Sequence, residues 1–302
     1  MEKWNAKGLL IKPNKKIWWM STHVGSTCAE VLDKNLLRLY ISGRAKDNKS
    51  RIGTALIKFE KELKIIKISK NPILDIPKKK IGTFFSDGIL YPEIVKFKKK
   101  TFLYFCGWLN HKTFSYNCNI GVSIKKNNKF SLNHDYPLFN LNKVDPIGTG
   151  SMAIYKVNKD KLRMYYVSFD FWKKDKKKYI HKYYLKIAES TYGINWIRKN
   201  KIVKKPKKNE IAIAHPSVLI EDNKVNLYYC SRKNKSDYNI YKTTSKNGIQ
   251  FVRNDNKIKL PKGIWDNKAQ CYPEIFEINN QKIMLYCGNQ YGKTGLGYSI
   301  KI

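Results

Sequence analysis

The sequence predicts an all-β protein, a five-bladed β-propeller of four-stranded antiparallel blades, on three observations. One phrase recurs along the chain: "TCAEVLDKNLLRLYISGR" from Thr27, "YPEIVKFKKKTFLYFCGW" from Tyr91, "SMAIYKVNKDKLRMYYVSFD" from Ser151, "HPSVLIEDNKVNLYYCSR" from His215 and "CYPEIFEINNQKIMLYCGN" from Cys271. Lined up on Ala29, Pro92, Met152, Pro216 and Pro273, the copies are spaced by about 60 residues, the signature of a repeated supersecondary unit that cannot bury its faces alone. Within each copy, two short runs rich in β-branched and aromatic residues flank a polar turn, and no window long enough for a helix escapes Pro, Asn or Gly.

Taken in order, each repeat builds one blade. The first run and the second form a hairpin across turns such as "EDNK" and "INNQ". A third strand follows, as in "RIGTALIKFE", "NCNIGVSIKK", "HKYYLKIAES", "YNIYKTTS" and "TGLGYSIKI". Twice it leads into Ser-x-x-Gly-x-x-aromatic: Ser190, Gly193 and Trp196, then Ser245, Gly248 and Phe251. A glycine there supplies the positive φ of a tight turn, and the aromatic residue leads an outer strand back onto the blade. The chain ends on a third strand, while "GLLIKP" near the start has no blade of its own, so the start is expected to complete the last blade and residues 1–302 to form one domain.

Composition bounds the function classes. With 42% hydrophobic residues, 20 Tyr, 13 Phe and 7 Trp, the chain can build a large core. A net charge of +37 suits anionic partners. Its lysines are spread through nearly every turn and Arg occurs only seven times, which argues against a reader of nucleic acid bases. Association with an acidic membrane surface stays open. The six cysteines (Cys28, Cys106, Cys118, Cys230, Cys271 and Cys287) have no C-x-x-C spacing and read as reduced core thiols; no metal or cofactor is called for. No signal-peptide core and no apolar run of membrane-spanning length is present, so a cytoplasmic protein is expected.

The series "STHVGSTCAEVL", "SDGILYPEIV", "IAESTYGINW", "HPSVL" and "CYPEIF…MLYCGNQYGKTGLGYS" resembles the five-bladed propeller glycosidases, the broad group holding glycoside hydrolase families 43, 32 and 130, and above all their uncharacterised relatives encoded with polysaccharide biosynthesis functions. The resemblance covers nearly the whole chain. It implies a carbohydrate-active site at the mouth of the propeller.

At that mouth the innermost strands begin and the second strands end. The residue before the proline column gives Cys28, Tyr91, Ser151, His215 and Tyr272; the end of the second strand gives Arg44, Trp108, Phe169 or Asp170, Arg232 and Asn289. Strand side chains alternate with a period of two, so Glu30, Glu93, Ala153, Ser217 and Glu274 fall one step deeper on the same face. Glu30, Glu93 and Glu274 are therefore expected at the axis, either as structural acids or as members of the carboxylate pair that glycoside cleavage needs. Asp87, in "SDGILYP", is the preferred partner, with a loop-capping role as its alternative. The resembling hydrolases carry an Asp before the proline column in the first and third blades and a Glu in the fourth, where this chain has Cys28, Ser151 and His215. None of the usual three carboxylates carries over.

Two task classes follow. A glycoside hydrolase-like enzyme would cleave or transfer a glycosyl residue using Asp87 and one of Glu30, Glu93 or Glu274. A glycosyltransferase or phosphorylase using a phosphate-bearing sugar would instead hold phosphate with His215, Arg44 and Arg232, since Arg pairs bidentately with phosphate oxygens. Trp108, Trp172 and Tyr272 offer flat faces for a sugar, with Tyr91, Asn289 and His23 beside them, the last on the loop entering the first blade. A non-catalytic glycan-binding propeller is the third reading.

Overall fold

The computed structural model describes residues 2–77, 83–110, 116–132, 134–175, 178–233, 238–252 and 255–302, the side chains of 171–181 excepted. Nineteen strands carry the described fold. The first unit holds β2 (His23–Asp33), β3 (Leu36–Arg44), β4 (Ser50–Phe59) and β5 (Leu63–Ile68). The second holds β6 (Gly88–Phe97), β7 (Lys100–Leu109) and β8 (Asn117–Ile124). The third holds β9 (Gly148–Asn158), β10 (Lys161–Asp175), β11 (Lys178–Ser190) and β12 (Ile197–Lys204). The fourth holds β13 (Ala212–Glu221), β14 (Lys224–Arg232), β15 (Tyr238–Ser245) and the short β16 (Asn256–Lys257). The last comprises β17 (Cys271–Ile278), β18 (Gln281–Cys287) and β19 (Leu296–Lys301), completed by β1 (Trp4–Ile11).

Within every unit the order is a simple antiparallel meander, and β1 pairs with β19 as the sequence predicts. The first two units share one hydrogen-bonded sheet, joined at the single parallel pair Ser50 and Gly88. The innermost strands β2, β6, β9, β13 and β17 each touch the next, and β17 returns to β2. Burial follows position. β14 is buried along almost its whole length, because units cover both its faces, whereas outer β12 is mostly exposed and lysine-rich, as an unpaired sheet edge must be to resist aggregation.

One expectation needs correction. The second unit has three strands among the described residues, not four. After β8 the chain reads "KKNNKFSLNHDYPLFNLNKVDP", with two prolines that cannot donate to a ladder; among the described residues it is tied to β8 by the Leu138 N–H to Ile120 O, at 2.7 Å, and by Ser131 to the Ser123 hydroxyl, not by a strand ladder.

The Ser-x-x-Gly turns do more than reverse the chain. Gly193 and Gly248 adopt φ 77° and 66°, and each donates its N–H to the hydroxyl of the serine three residues earlier. Each glycine carbonyl then accepts a bond from a tyrosine of the preceding unit, Tyr104 at 2.5 Å and Tyr165 at 2.6 Å. Trp196 and Phe251 pack edge-on against those same rings. The motif is thus a staple between neighbouring units.

The β1 strand closes the last unit with Trp4 and Ile11 buried at 5% and 2% exposure. Deleting residues 1–12 is expected to cost about 4 kcal/mol or more, from the lost apolar burial alone. Urea denaturation followed by tryptophan fluorescence checks this, and an unchanged midpoint would show that the strand is decorative.

Candidate active site

The site is set by a bulge repeated on the innermost strands. Tyr91, His215 and Tyr272 take left-handed backbone, φ 55°, 51° and 58°, where the pairing of each first strand with its second slips by one residue. Such conformations cost about 1–3 kcal/mol in non-glycine residues and persist only when surroundings enforce them. Here the three rings enforce one another: Tyr91, His215 and Tyr272 pack with centroids 5.2–5.3 Å apart. One or two paired residues past each bulge, a side chain faces a corresponding position of the second strand, giving the column Cys28, Glu93, Ala153, Ser217 and Glu274 opposite Tyr40, Tyr104, Tyr165, Tyr228 and Leu285.

That column corrects one expected position. In the first unit the bulge falls between Val24 and Thr27, three residues earlier than the alignment on Ala29 assumes, and the residue opposite Tyr40 is two places earlier than Glu30. Cys28, not Glu30, therefore occupies the axial place. Glu30 instead accepts bonds from Arg38, Tyr40 and Lys96, tying the first unit to the second at the end away from the bulges. Burial pushes its carboxyl up, but Lys96 and Tyr40 outweigh that and hold it below the usual range.

Glu93 and Glu274 do sit in the axial column, and both work as backbone acceptors across units. Glu93 Oε1 takes the Ile154 N–H at 2.8 Å; Glu274 takes the Ala29 N–H at 2.9 Å and the Ser217 hydroxyl at 3.1 Å. Ser217 Oγ takes the Ile275 N–H at 3.0 Å and Cys28 Sγ that of Ile94 at 3.4 Å. Burial, and for Glu93 the charge of Glu274 as well, raises both carboxyls; Glu274 titrates at about 7.

Above this column lies a cavity of about 360 Å³. His23, Arg44, Tyr91, Trp108, Arg232 and Tyr272, all expected at the mouth, line it, and so does Phe169. Arg44 and Arg232 occupy corresponding places at the ends of β3 and β14. The Arg44 guanidinium stacks 5.5 Å from the Trp108 ring, makes only long bonds to Ser50 and Asn48, and has no carboxylate partner among the described residues. Arg232 stacks 5.2 Å from Tyr238 and donates to Tyr291 and Tyr183, each at 3.1 Å. Burial, then the Arg44 and Lys293 charges, lower His23 to about 4, so its imidazole is neutral at pH 7.

Other expected residues lie elsewhere. His215 is buried beneath the lining, against Tyr91 and Tyr272, and burial lowers it to about 4; it does not share the cavity with the two arginines. Asn289 turns into the preceding loop, accepting the Lys268 and Ala269 N–H groups at 2.9 and 3.0 Å. Asp87 lies outside the lining and accepts the Asn110 N–H at 2.8 Å, the geometry of a loop cap. The Trp172 side chain falls outside the described residues. No carboxylate lines the cavity among the described residues.

Tyr116, Tyr183, Tyr238 and Tyr291 also line the cavity and were not anticipated. A signal for three of them exists. The third strand begins where the second ends, so Tyr238 pairs with Arg232 and Tyr183 with Phe169, and Tyr116 just precedes β8; extending the mouth rule to third-strand starts finds them.

Comparison with known proteins agrees with this architecture. Residues 199–300 match the family model described as beta-1,4-mannooligosaccharide phosphorylase, of the glycoside hydrolase 130 group. Two uncharacterised proteins from two strains of Mycobacterium tuberculosis are each 27% identical over 303 residues, covering 98% of this chain and 98% of theirs. Among solved structures, a family 130 protein from work on mannoside phosphorylases and on glycoside hydrolases that target beta-1,2 mannosidic linkages in Candida mannan superposes with TM-score 0.72 at 13% identity, covering 99% of this chain and 93% of its own. A glycosyl hydrolase from Bacteroides ovatus gives 0.71 at 14%, with 99% and 93% covered. A thermostable family-43 glycoside hydrolase gives 0.64 at 14%, with 96% and 92% covered. The resemblance to propeller glycosidases read from the sequence is borne out at the level of fold.

The axial carboxyls carry a pH signature. Glu274 binds its proton up to about pH 7 when folded, against an ordinary value of 4.5, so its contribution to stability is complete below pH 4.5 and is lost as pH rises through 7. His215, lowered from 6.5 to about 4, acts in the opposite sense and loses its contribution as pH falls. Glu274→Gln should isolate the first effect: the stability gap between wild type and variant is expected to shift in the variant's favour by about 3 kcal/mol from pH 4.5 to pH 8. Parallel stability curves from chemical denaturation across that range would rule out a titrating Glu274.

Proposed function

We propose that the chain is a carbohydrate-active enzyme, folded as five blades around the ring of innermost strands, that transfers a glycosyl residue to or from phosphate in the central cavity. The observation that carries this reading is the pair Arg44 and Arg232, both lining one tyrosine-rich cavity and each laid over an aromatic ring. Guanidinium groups meet phosphate oxygens in a planar fork, and partial burial strengthens the contact. Tyrosine and tryptophan faces beside them suit the C–H surface of a sugar. The match of residues 199–300 to a mannooligosaccharide phosphorylase model supports the same reading.

Leaving-group chemistry agrees. Expelling a sugar alkoxide needs a carboxylic acid to protonate it, and two carboxyl groups flanking the bond. With a glycosyl phosphate as donor the departing group is phosphate, which two arginines stabilise and which takes up the proton of the attacking sugar hydroxyl; in the opposite direction hydrogen phosphate brings that proton, which passes to the leaving sugar oxygen. Hydrolysis by Asp87 with Glu93 or Glu274 would require groups that cap a loop or hold backbone N–H groups to turn toward substrate. A phosphate-activated sugar is an intracellular currency, so we place the protein in the cytoplasm. The surplus positive charge, +37, would draw such anionic substrates toward it.

The test is turnover of β-1,4-mannooligosaccharides with and without phosphate, and of glycosyl 1-phosphates in the reverse sense. Phosphate-dependent turnover is expected, with Arg44→Ala and Arg232→Ala each raising the phosphate KM about tenfold or more, the loss of a charge-assisted contact. Asp87→Asn should stay within a few-fold of wild type. Equal turnover in phosphate-free buffer, abolished by Asp87→Asn, would instead establish carboxylate-driven hydrolysis.

A further inference from the structure

We infer that Tyr291 is a positioning residue that fixes Arg232 for its anionic ligand, and that the loop carrying it is built for that purpose; the inference rests on the phosphate reading above. The loop Asn289–Gly292 follows β18 and is wound in an uncommon way. Gln290 and Tyr291 are both left-handed, φ 53° and 60°, and Gly292 follows at φ 92°. Two successive non-glycine residues in that region store strain that the surroundings must enforce.

The surroundings are specific. At its start, the Asn289 N–H bonds to Trp265 O at 3.1 Å, and the Thr294 hydroxyl bonds to the same carbonyl at 2.6 Å. At its end, Gly292 sits on the first unit: a Cβ there would lie 2.0 Å from Val24 O, so only glycine fits. The loop is therefore clamped between the last unit and the first. Clamped so, it lays the Tyr291 ring parallel to Tyr272, centroids 6.3 Å apart, and brings the phenol to Arg232 Nη1 at 3.1 Å.

Tyr183 holds the other terminal nitrogen, Nη2, at 3.1 Å, and its own hydroxyl lies 3.3 Å from that of Tyr116. The fork is thus gripped at both tips from opposite sides of the cavity. Phenol oxygens at both tips orient the guanidinium without themselves neutralising it. It also surrenders little rotamer freedom when an anion arrives, which is the advantage of a preorganised site. Tyr291 reaches the site while remaining 42% exposed, so removing its hydroxyl alone leaves the core intact.

The experiment is a thermal-shift titration of the full chain with inorganic phosphate, and in parallel with a neutral β-1,4-mannooligosaccharide, for wild type, Tyr291→Phe, Tyr291→Leu and Tyr183→Phe. Tyr291→Phe is expected to raise the half-saturating phosphate concentration about five- to tenfold, the worth of one hydrogen bond to a charged group, while its response to the neutral saccharide stays that of wild type. Tyr183→Phe should behave likewise, giving an independent reading should one variant fold poorly. Tyr291→Leu, which also loses the face stacked on Tyr272, should weaken both ligands. If wild type responds to phosphate and Tyr291→Phe has the same midpoint, the positioning role is overturned while the phosphate reading stands. No response to phosphate in wild type overturns both. Equal losses for phosphate and saccharide in Tyr291→Phe would reduce Tyr291 to a structural residue and overturn the inference.

Discussion

The rest of the structure depends on one kind of bond, made around the axis by side chains of one unit to backbone N–H groups of the next. Cys28 receives Ile94, Glu93 receives Ile154, Ser217 receives Ile275, and Glu274 returns to Ala29 and so joins the last unit to the first. Innermost strands splay from one another and cannot pair as a continuous sheet, so their N–H groups need other acceptors. The axial acids are thus explained by the backbone they satisfy. Their raised protonation follows from burial, and Glu274 can accept a bond from Ala29 in either state.

Above that ring, the same bulges that orient the acceptors tip Tyr91 and Tyr272 into the cavity and press His215 beneath them. A single backbone irregularity therefore does two jobs. It seats the acceptor column, and it supplies aromatic rings to the cavity that Arg44 and Arg232 also line. Corresponding positions have diverged around the opening: β3 and β14 end in arginine, β7 carries Trp108 and β10 carries Phe169. The cavity consequently sets each of its two arginines against an aromatic ring.

The fold was legible because strand periodicity and turn chemistry repeat, and five imperfect copies correct one another's noise. Even the role of the first strand could be read, since β19 lacks an outer partner in sequence order. The site was legible in part. Arg44, Trp108, Arg232, Tyr91 and Tyr272 were reached by asking which strand ends share the mouth. Glu30 was misplaced because the first copy lacks the proline that marks the bulge, so its register slipped by two residues. His215 was placed correctly on its strand, but which of two neighbouring rings covers the other is a packing outcome that no linear pattern encodes. Tyr291 lies on a loop whose left-handed course depends on Trp265 and Val24, both remote in sequence.

The pairing of β1 with β19 has a kinetic side. Trp4 faces Lys301, so β1 waits for a partner made about 300 residues later in synthesis. Until then each newly completed unit can dock on its predecessor, but the growing array has an open edge at both ends. Loop-closure entropy rises only logarithmically with length, so the long wait adds little to the equilibrium cost. It matters for timing: contacts so distant in sequence form late, and a chain stalled before β19 would leave β1 free to pair with another copy. Synthesis of β19 is thus also the event that retires the exposed edge of β1.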